Sequence, residues 1–193
     1  LPDERMTLCL GFYGGGDFYD LKGTLEQLFD MLGLNGKREY RNEACINFLH
    51  PGRQAVVYYD DEPIAFLGEV HPQVVKNYSL AKKTYIAQAD IKALYSKAEF
   101  DRKYRGISKY PSVVRDLSLV MDKDIPAGDI EKIISEYAGR LVENLELFDV
   151  YEGDQIEEGK KSLAYSIRFR ASDRTLEDKE INSIMDKITD ALA

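Results

Sequence analysis

The chain has 193 residues, 44% of them hydrophobic and 11% aromatic, which is enough for one or two packed domains and argues against disorder. Its net charge of −8 excludes a protein that holds nucleic acid mainly by neutralising phosphates, so any nucleic-acid recognition has to be local, through stacking and base edges. Two cysteines, Cys9 and Cys45, are too few for a disulfide framework, no run of about 20 apolar residues offers a membrane span, and the expected home is the reducing cytoplasm.

The start, LPDERMTLCL, lacks the basic-then-apolar pattern of a signal peptide and lacks an initiator Met, so a fragment of a longer protein is expected. Residues 5–13 (RMTLCLGFY) read as a strand, and Gly14-Gly15-Gly16 as a loop. Leu21, Leu25, Leu28 and Leu32 recur at helical spacing, and Asn35-Gly36 is the expected stop. A strand follows near KREYRNE, then a loop through NFLHPGRQ. AVVYY and IAFLGEV are two β-rich runs, joined by an expected hairpin turn at Asp60-Asp61-Glu62-Pro63. His71-Pro72 opens a short helix, and TYIAQADI reads as a further strand. This part is α+β with a mostly antiparallel sheet, over residues 1–98. Residues 99–110, charged and without clear period, read as a linker.

From 111 to 193 the pattern sharpens. VVRDLSLVM is a strand with Leu117 and Leu119 on one face. Pro126 suits a helix start; Ile130, Ile133, Ile134 and Tyr137 form the expected buried stripe, and Gly139 the stop. VENLELFDVY is a second strand, with Phe148 and Val150 expected inside. KSLAYSIRFR is the third, with Leu163, Tyr165, Ile167 and Phe169 alternating inward. The last helix carries Leu176, Ile181, Ile184, Met185 and Ile188 on its inner face. The order β-α-β-β-α is a ferredoxin-like split βαβ unit, βαββα(β), lacking its last strand. On that reading the first strand of the unit keeps a free edge, which pairs with another chain or stays exposed.

In such a fold both helices cover one face of the sheet. Parity leaves Asp116 and Ser118, then Asp149 and Tyr151, then Ser162, Ala164, Ser166, Arg168 and Arg170 on the other. The expected register pairs Asp149 with Ser162 and Tyr151 with Lys160. A phenol ring stacks on a splayed base, and a carboxylate accepts from the donor edge of guanine; unpaired bases are where RNA sequence is read. The bland alternative is a solvated sheet face with one exposed tyrosine.

The runs KYPSVVRDLSLVMD, LFDVYEG, EGKKSLAYSIRFR and RTLEDKEIN, in this order, resemble the C-terminal anticodon-binding domain of bacterial phenylalanyl-tRNA synthetase β subunits. DFYDLKG, NFLHPGRQA and FLGEVHPQV are similar to the end of that family's non-catalytic class II synthetase-like domain. The resemblance implies a role in recognising the anticodon of tRNA(Phe) and in scaffolding. It implies an α2β2 partnership with the α subunit and ATP- and Mg2+-dependent aminoacylation centred elsewhere in the enzyme. It maps the family's anticodon contacts onto Ser118, Asp149, Tyr151 and Ser162, and implies no catalytic residue, metal or cofactor in this fragment. The fragment alone is therefore expected not to charge tRNA.

Other motifs weigh less. Gly14-Gly15-Gly16 precedes a helix but lacks the spacing and the Lys-Ser/Thr of a phosphate loop. His50, His71, Cys9 and Cys45 have no close ligand spacing for zinc. His50-Pro51-Gly52-Arg53 shapes a loop in which Arg53 is a candidate subunit contact. A ferredoxin-like regulatory module binding a small molecule is the alternative from another functional class; it needs a pocket at an interface. An active class II enzyme needs an arginine set for ATP, which the sequence does not show.

Overall fold

The computed structural model describes residues 4–34, 38–101, 106, 108–153 and 155–192, and the chain divides into two compact units at about residue 104. In the first unit β1 (Thr7–Tyr13), β2 (Arg38–Arg41), β3 (Leu49–Tyr59), β4 (Glu62–Val70) and β5 (Thr84–Asp90) form one antiparallel sheet in the order β1-β5-β4-β3-β2. Helix α1 (Phe18–Met31) lies on it. Its fully buried residues are Leu21, Leu25 and Phe29, spaced by four, packed with Val57, Leu67 and Ala87 of the sheet. Phe29 takes the buried place that leucine periodicity gives to Leu28, which is only half-buried.

Both ends of α1 follow from local chemistry. Asp17 caps it: one carboxylate oxygen accepts from the N–H groups of Tyr19 (2.7 Å) and Asp20 (3.0 Å), while Asp20 accepts from the Asp17 N–H at 2.7 Å. Asp17→Ala is expected to cost the first unit about 1 kcal/mol, read as a lowered midpoint in chemical denaturation; an unchanged midpoint would mean that solvent satisfies these donors equally well. At the other end Gly33 stops the helix with φ at +74°, where Gly33 N–H donates to the Asp30 carbonyl and Leu34 N–H to that of Phe29. The expected stop, Asn35-Gly36, lies outside the described residues.

The β3–β4 hairpin turns on Asp60 and Asp61, both with positive φ (49° and 63°), and Pro63 falls inside β4 instead of in the turn. The loop expected through HPGRQ is instead part of β3, whose pairing with β4 is irregular between Leu49 and Gln54. Helix α2 (Pro72–Asn77) begins at His71, whose Nδ1 accepts from Gln73 N–H at 3.1 Å. Helix α3 (Ile91–Lys97) was not anticipated: with seven residues and Leu94 alone buried it has no readable period.

The second unit runs β6 (Val113–Asp122), α4 (Ala127–Ala138), a 3-10 turn, β7 (Val142–Tyr151), β8 (Lys160–Phe169), α5 (Asp178–Leu192). Its described residues form a three-stranded antiparallel sheet in the order β6-β8-β7. This is the expected ferredoxin-like order. Both helices share one core with the sheet: Ile130, Ile134 and Ala138 of α4, Ile181 and Ile188 of α5, against Leu163, Tyr165, Ile167 and Phe169 of the central strand. Tyr165 is fully buried and donates its hydroxyl to the Ala127 carbonyl at 3.1 Å, which ties β8 to the start of α4; burial holds its phenol pKa well above the usual value. Tyr137 is not in the stripe: it is 48% exposed, and Ala138, one turn beyond Ile134, is buried in its stead.

Candidate nucleic-acid interface

The face of the second sheet away from the helices is built by cross-strand pairs that run in rows. Ser118, Ala164 and Asp149 form one row; Val120, Ser162 and Tyr151 form the next. Asp116, Ser166 and Glu146 form a third, and Val114, Arg168 and Asn144 a fourth. Directly paired side chains stand about 5 Å apart, so Tyr151 and Ser162 are neighbours. Ser118 and Asp149 flank Ala164 at about 9–10 Å, two strand spacings, and its methyl floors the gap between them.

The register differs from expectation. Asp149 pairs with Ala164, not Ser162, and Tyr151 pairs with Ser162, not Lys160. The cause is a β-bulge. Leu145 and Leu147 pair with Ile167 and Tyr165, on the helix side; the ladder then skips Phe148 and resumes at Asp149. Strict alternation from Leu147 would point Asp149 and Tyr151 at the core. The extra residue reverses the parity and turns both outward. A burial expectation is corrected as well: Phe148, left out of the ladder, is 55% exposed, and Val150, although paired with the buried Leu163, is 52% exposed.

All four sequence candidates therefore lie on one face: Ser118, Asp149 and Tyr151 exposed, Ser162 half-buried on the central strand. Val114 and Val120, 46% and 61% exposed, belong to it as well and were overlooked; their alternation with Arg115, Leu117 and Leu119 was the available signal. The valines and the Tyr151 ring give the face apolar surface for a base, and Arg168 adds an exposed cation. Arg170 lies just past β8, against Glu143 at 3.0 Å. Cations near Tyr151 are already engaged: Lys123 with Glu152 at 3.0 Å, Lys160 with Glu157 at 2.7 Å, and Lys161 Nζ donating to the carbonyls of Lys123 and Ile125 at 3.0 and 2.6 Å. The arrangement suits stacking and edge recognition more than phosphate attraction.

The first unit's candidates have other duties. The Asp17 carboxylate occupies the α1 donors that a phosphate after Gly14-Gly15-Gly16 would need. His50 and His71 each accept a backbone N–H through Nδ1, from Gly52 and Gln73 at 3.1 Å. Cys9 and Cys45 are free and exposed, and among the described residues no group of three or more His, Cys, Asp or Glu is placed to hold a metal. Arg53 Nη1 donates to both oxygens of the buried Glu69 carboxylate, at 3.1 and 3.0 Å. This pair, with Asp17 and Lys83, lines a cavity of 390 Å³ whose formal charges balance.

Residues 108–193 match the family model described as the ferredoxin-fold anticodon binding domain, and residues 1–91 match that of the phenylalanyl tRNA synthetase beta chain CLM domain. The chain is 44% identical over 192 residues to the phenylalanine–tRNA ligase beta subunit of Clostridium tetani and 39% identical to that of Clostridium acetobutylicum; each match covers all of this chain and 24% of the relative. The corresponding subunit of Geobacillus kaustophilus is 40% identical over 176 residues, covering 91% of this chain and 22% of the relative. The chain thus spans about a quarter of the length of these curated relatives.

Proposed function

The chain belongs to the phenylalanyl-tRNA synthetase β-chain family, and from that premise we propose that residues 111–193 read the anticodon of tRNA(Phe) while residues 1–98 help to hold the subunit within an α2β2 ligase, residues 99–110 joining the two. Tyr151 stacks on an anticodon base. Asp149 accepts hydrogen bonds from the donor edge of a guanine, with Ser162 supporting from the adjacent central strand and Ser118 from the strand beyond it. The observation that carries this reading is the paired row Tyr151–Ser162 beside the row Asp149–Ala164–Ser118, on the open face of the unit that matches an anticodon-binding family. ATP, magnesium and the bond-forming chemistry are assigned to the rest of that enzyme. In this role the chain works in the cytoplasm and contributes recognition, not catalysis.

The test is binding of the intact enzyme to tRNA(Phe) and to the same tRNA with its anticodon guanine replaced. Loss of one bidentate contact is expected to favour the parent tRNA by about 1–3 kcal/mol, or 5- to 150-fold. Equal affinity for the two tRNAs would refute anticodon reading. A second assay checks the expectation that the purified fragment, free of α subunit, does not charge tRNA; charging above background would overturn it.

A further inference from the structure

Tyr151 ends β7, and the chain turns at once through Glu152 and Gly153. A β-carbon placed on Gly153 would lie 2.5 Å from the Tyr151 hydroxyl oxygen, 2.7 Å from its Cζ and 3.3 Å from its Cε1. Carbon atoms cannot approach a side chain so closely, so the hydroxyl end of the ring occupies space that only a missing side chain leaves. Gly153 is not among the residues with positive φ, so its backbone does not itself require glycine. What requires it is the ring. The turn under the ring is also held in place. The Gly153 carbonyl accepts from Ile156 N–H at 3.0 Å, Lys123 N–H donates to the Gly159 carbonyl at 2.9 Å, and Lys123 pairs with Glu152 at 3.0 Å. The atoms crowded by a new methyl group are the tip of a side chain with two rotatable bonds. The ring, not the backbone, is what gives way.

The geometry points to Gly153 as a positioning residue: its bare backbone is the stop against which the Tyr151 ring rests, setting the pose in which the ring meets a base. This deepens the anticodon reading proposed above and rests on it. A stacked base needs a ring fixed in direction, and Tyr151 stands at a strand end, 40% exposed, with its hydroxyl end over Gly153.

The experiment compares Gly153→Ala, Tyr151→Ala and the double variant in the intact enzyme, measuring affinity for tRNA(Phe) and thermal unfolding. Gly153→Ala is expected to weaken tRNA binding about 3- to 10-fold, a part of one stacking contact, with unfolding unchanged. The double variant is expected to bind no worse than Tyr151→Ala alone, because the glycine acts only through the ring. Losses that add in the double variant, or parent-like binding by Gly153→Ala alongside a defective Tyr151→Ala, would overturn the positioning role and leave the anticodon reading standing. A lowered unfolding temperature for Gly153→Ala would also overturn it, since the fold and not the ring would then be yielding. Parent-like binding by Tyr151→Ala sinks the anticodon role of the ring, and the positioning role with it.

Discussion

Truncation of Phe169 to alanine is expected to destabilise the second unit by about 3–5 kcal/mol. Phe169 is fully buried on the central strand, paired with Val113 on one side and Val142 on the other, and packed in the core that both helices share. Removing the ring loses its transfer free energy and leaves a cavity that three strands and two helices cannot close together. A domain typically has only about 5–15 kcal/mol to lose, so the change consumes much of the margin. The functional consequence is indirect: β8 carries Ser162, Ala164 and Arg168 on its other face, and a frayed central strand misaligns every row. Urea denaturation of the intact chain, followed by a probe in the second unit, measures the effect. Val120→Ala is the comparison; its side chain is 61% exposed and the expected change is within about 0.5 kcal/mol. Similar losses for the two variants would show that the core is not where this unit's stability resides.

The second large effect is on recognition. Tyr151→Ala is expected to weaken binding of tRNA(Phe) by about 1–3 kcal/mol through loss of stacking. Asp149→Asn keeps size and shape but replaces one acceptor oxygen with a donor, which then faces the guanine's own donors. It is expected to cost about 1–3 kcal/mol against the guanine anticodon and to narrow discrimination against an altered one. On the proposed reading the ring and the carboxylate are expected to carry a large share of the affinity, because the chain is acidic and Lys123, Lys160 and Lys161 are already engaged. Charging kinetics of the intact enzyme separate the two roles: Tyr151→Ala raises KM for both tRNAs alike, whereas Asp149→Asn raises it mainly for the parent. If both variants charge both tRNAs as the parent does, Asp149 and Tyr151 face only solvent and do not read the anticodon.

Much of this protein was legible in the linear sequence, for identifiable reasons. Leu21 and Leu25 recur on one side of α1, and Leu163, Tyr165, Ile167 and Phe169 alternate along β8; each is buried as its period requires. Those patterns are strong because each element has one buried face and packing admits no other phase. Where an element is short or its boundary depends on a single residue, the pattern is too weak. Helix α3 has one buried side chain; Tyr137 and Ala138 compete for one stripe, and only contact with α5 and the sheet chooses the smaller residue.

The sequence by itself determined the βαββα order, the core face of β8 and the membership of Ser118, Asp149, Tyr151 and Ser162 in one polar set. Alternation and turn chemistry are local, and a chain states them without reference to its partners. Which residues stand opposite one another was decided only in the tertiary structure. Leu145 and Leu147 claim the core by one parity, Asp149 and Tyr151 face outward by the other, and a continuous strand cannot satisfy both. The fold resolves the conflict by leaving Phe148 unpaired against β8, at the cost of one irregular step in the ladder and an exposed phenylalanine. That step brings Tyr151 opposite Ser162 and Asp149 opposite Ala164. A bulge has no local signature in the letters, because it is an agreement between two strands about where one of them will skip.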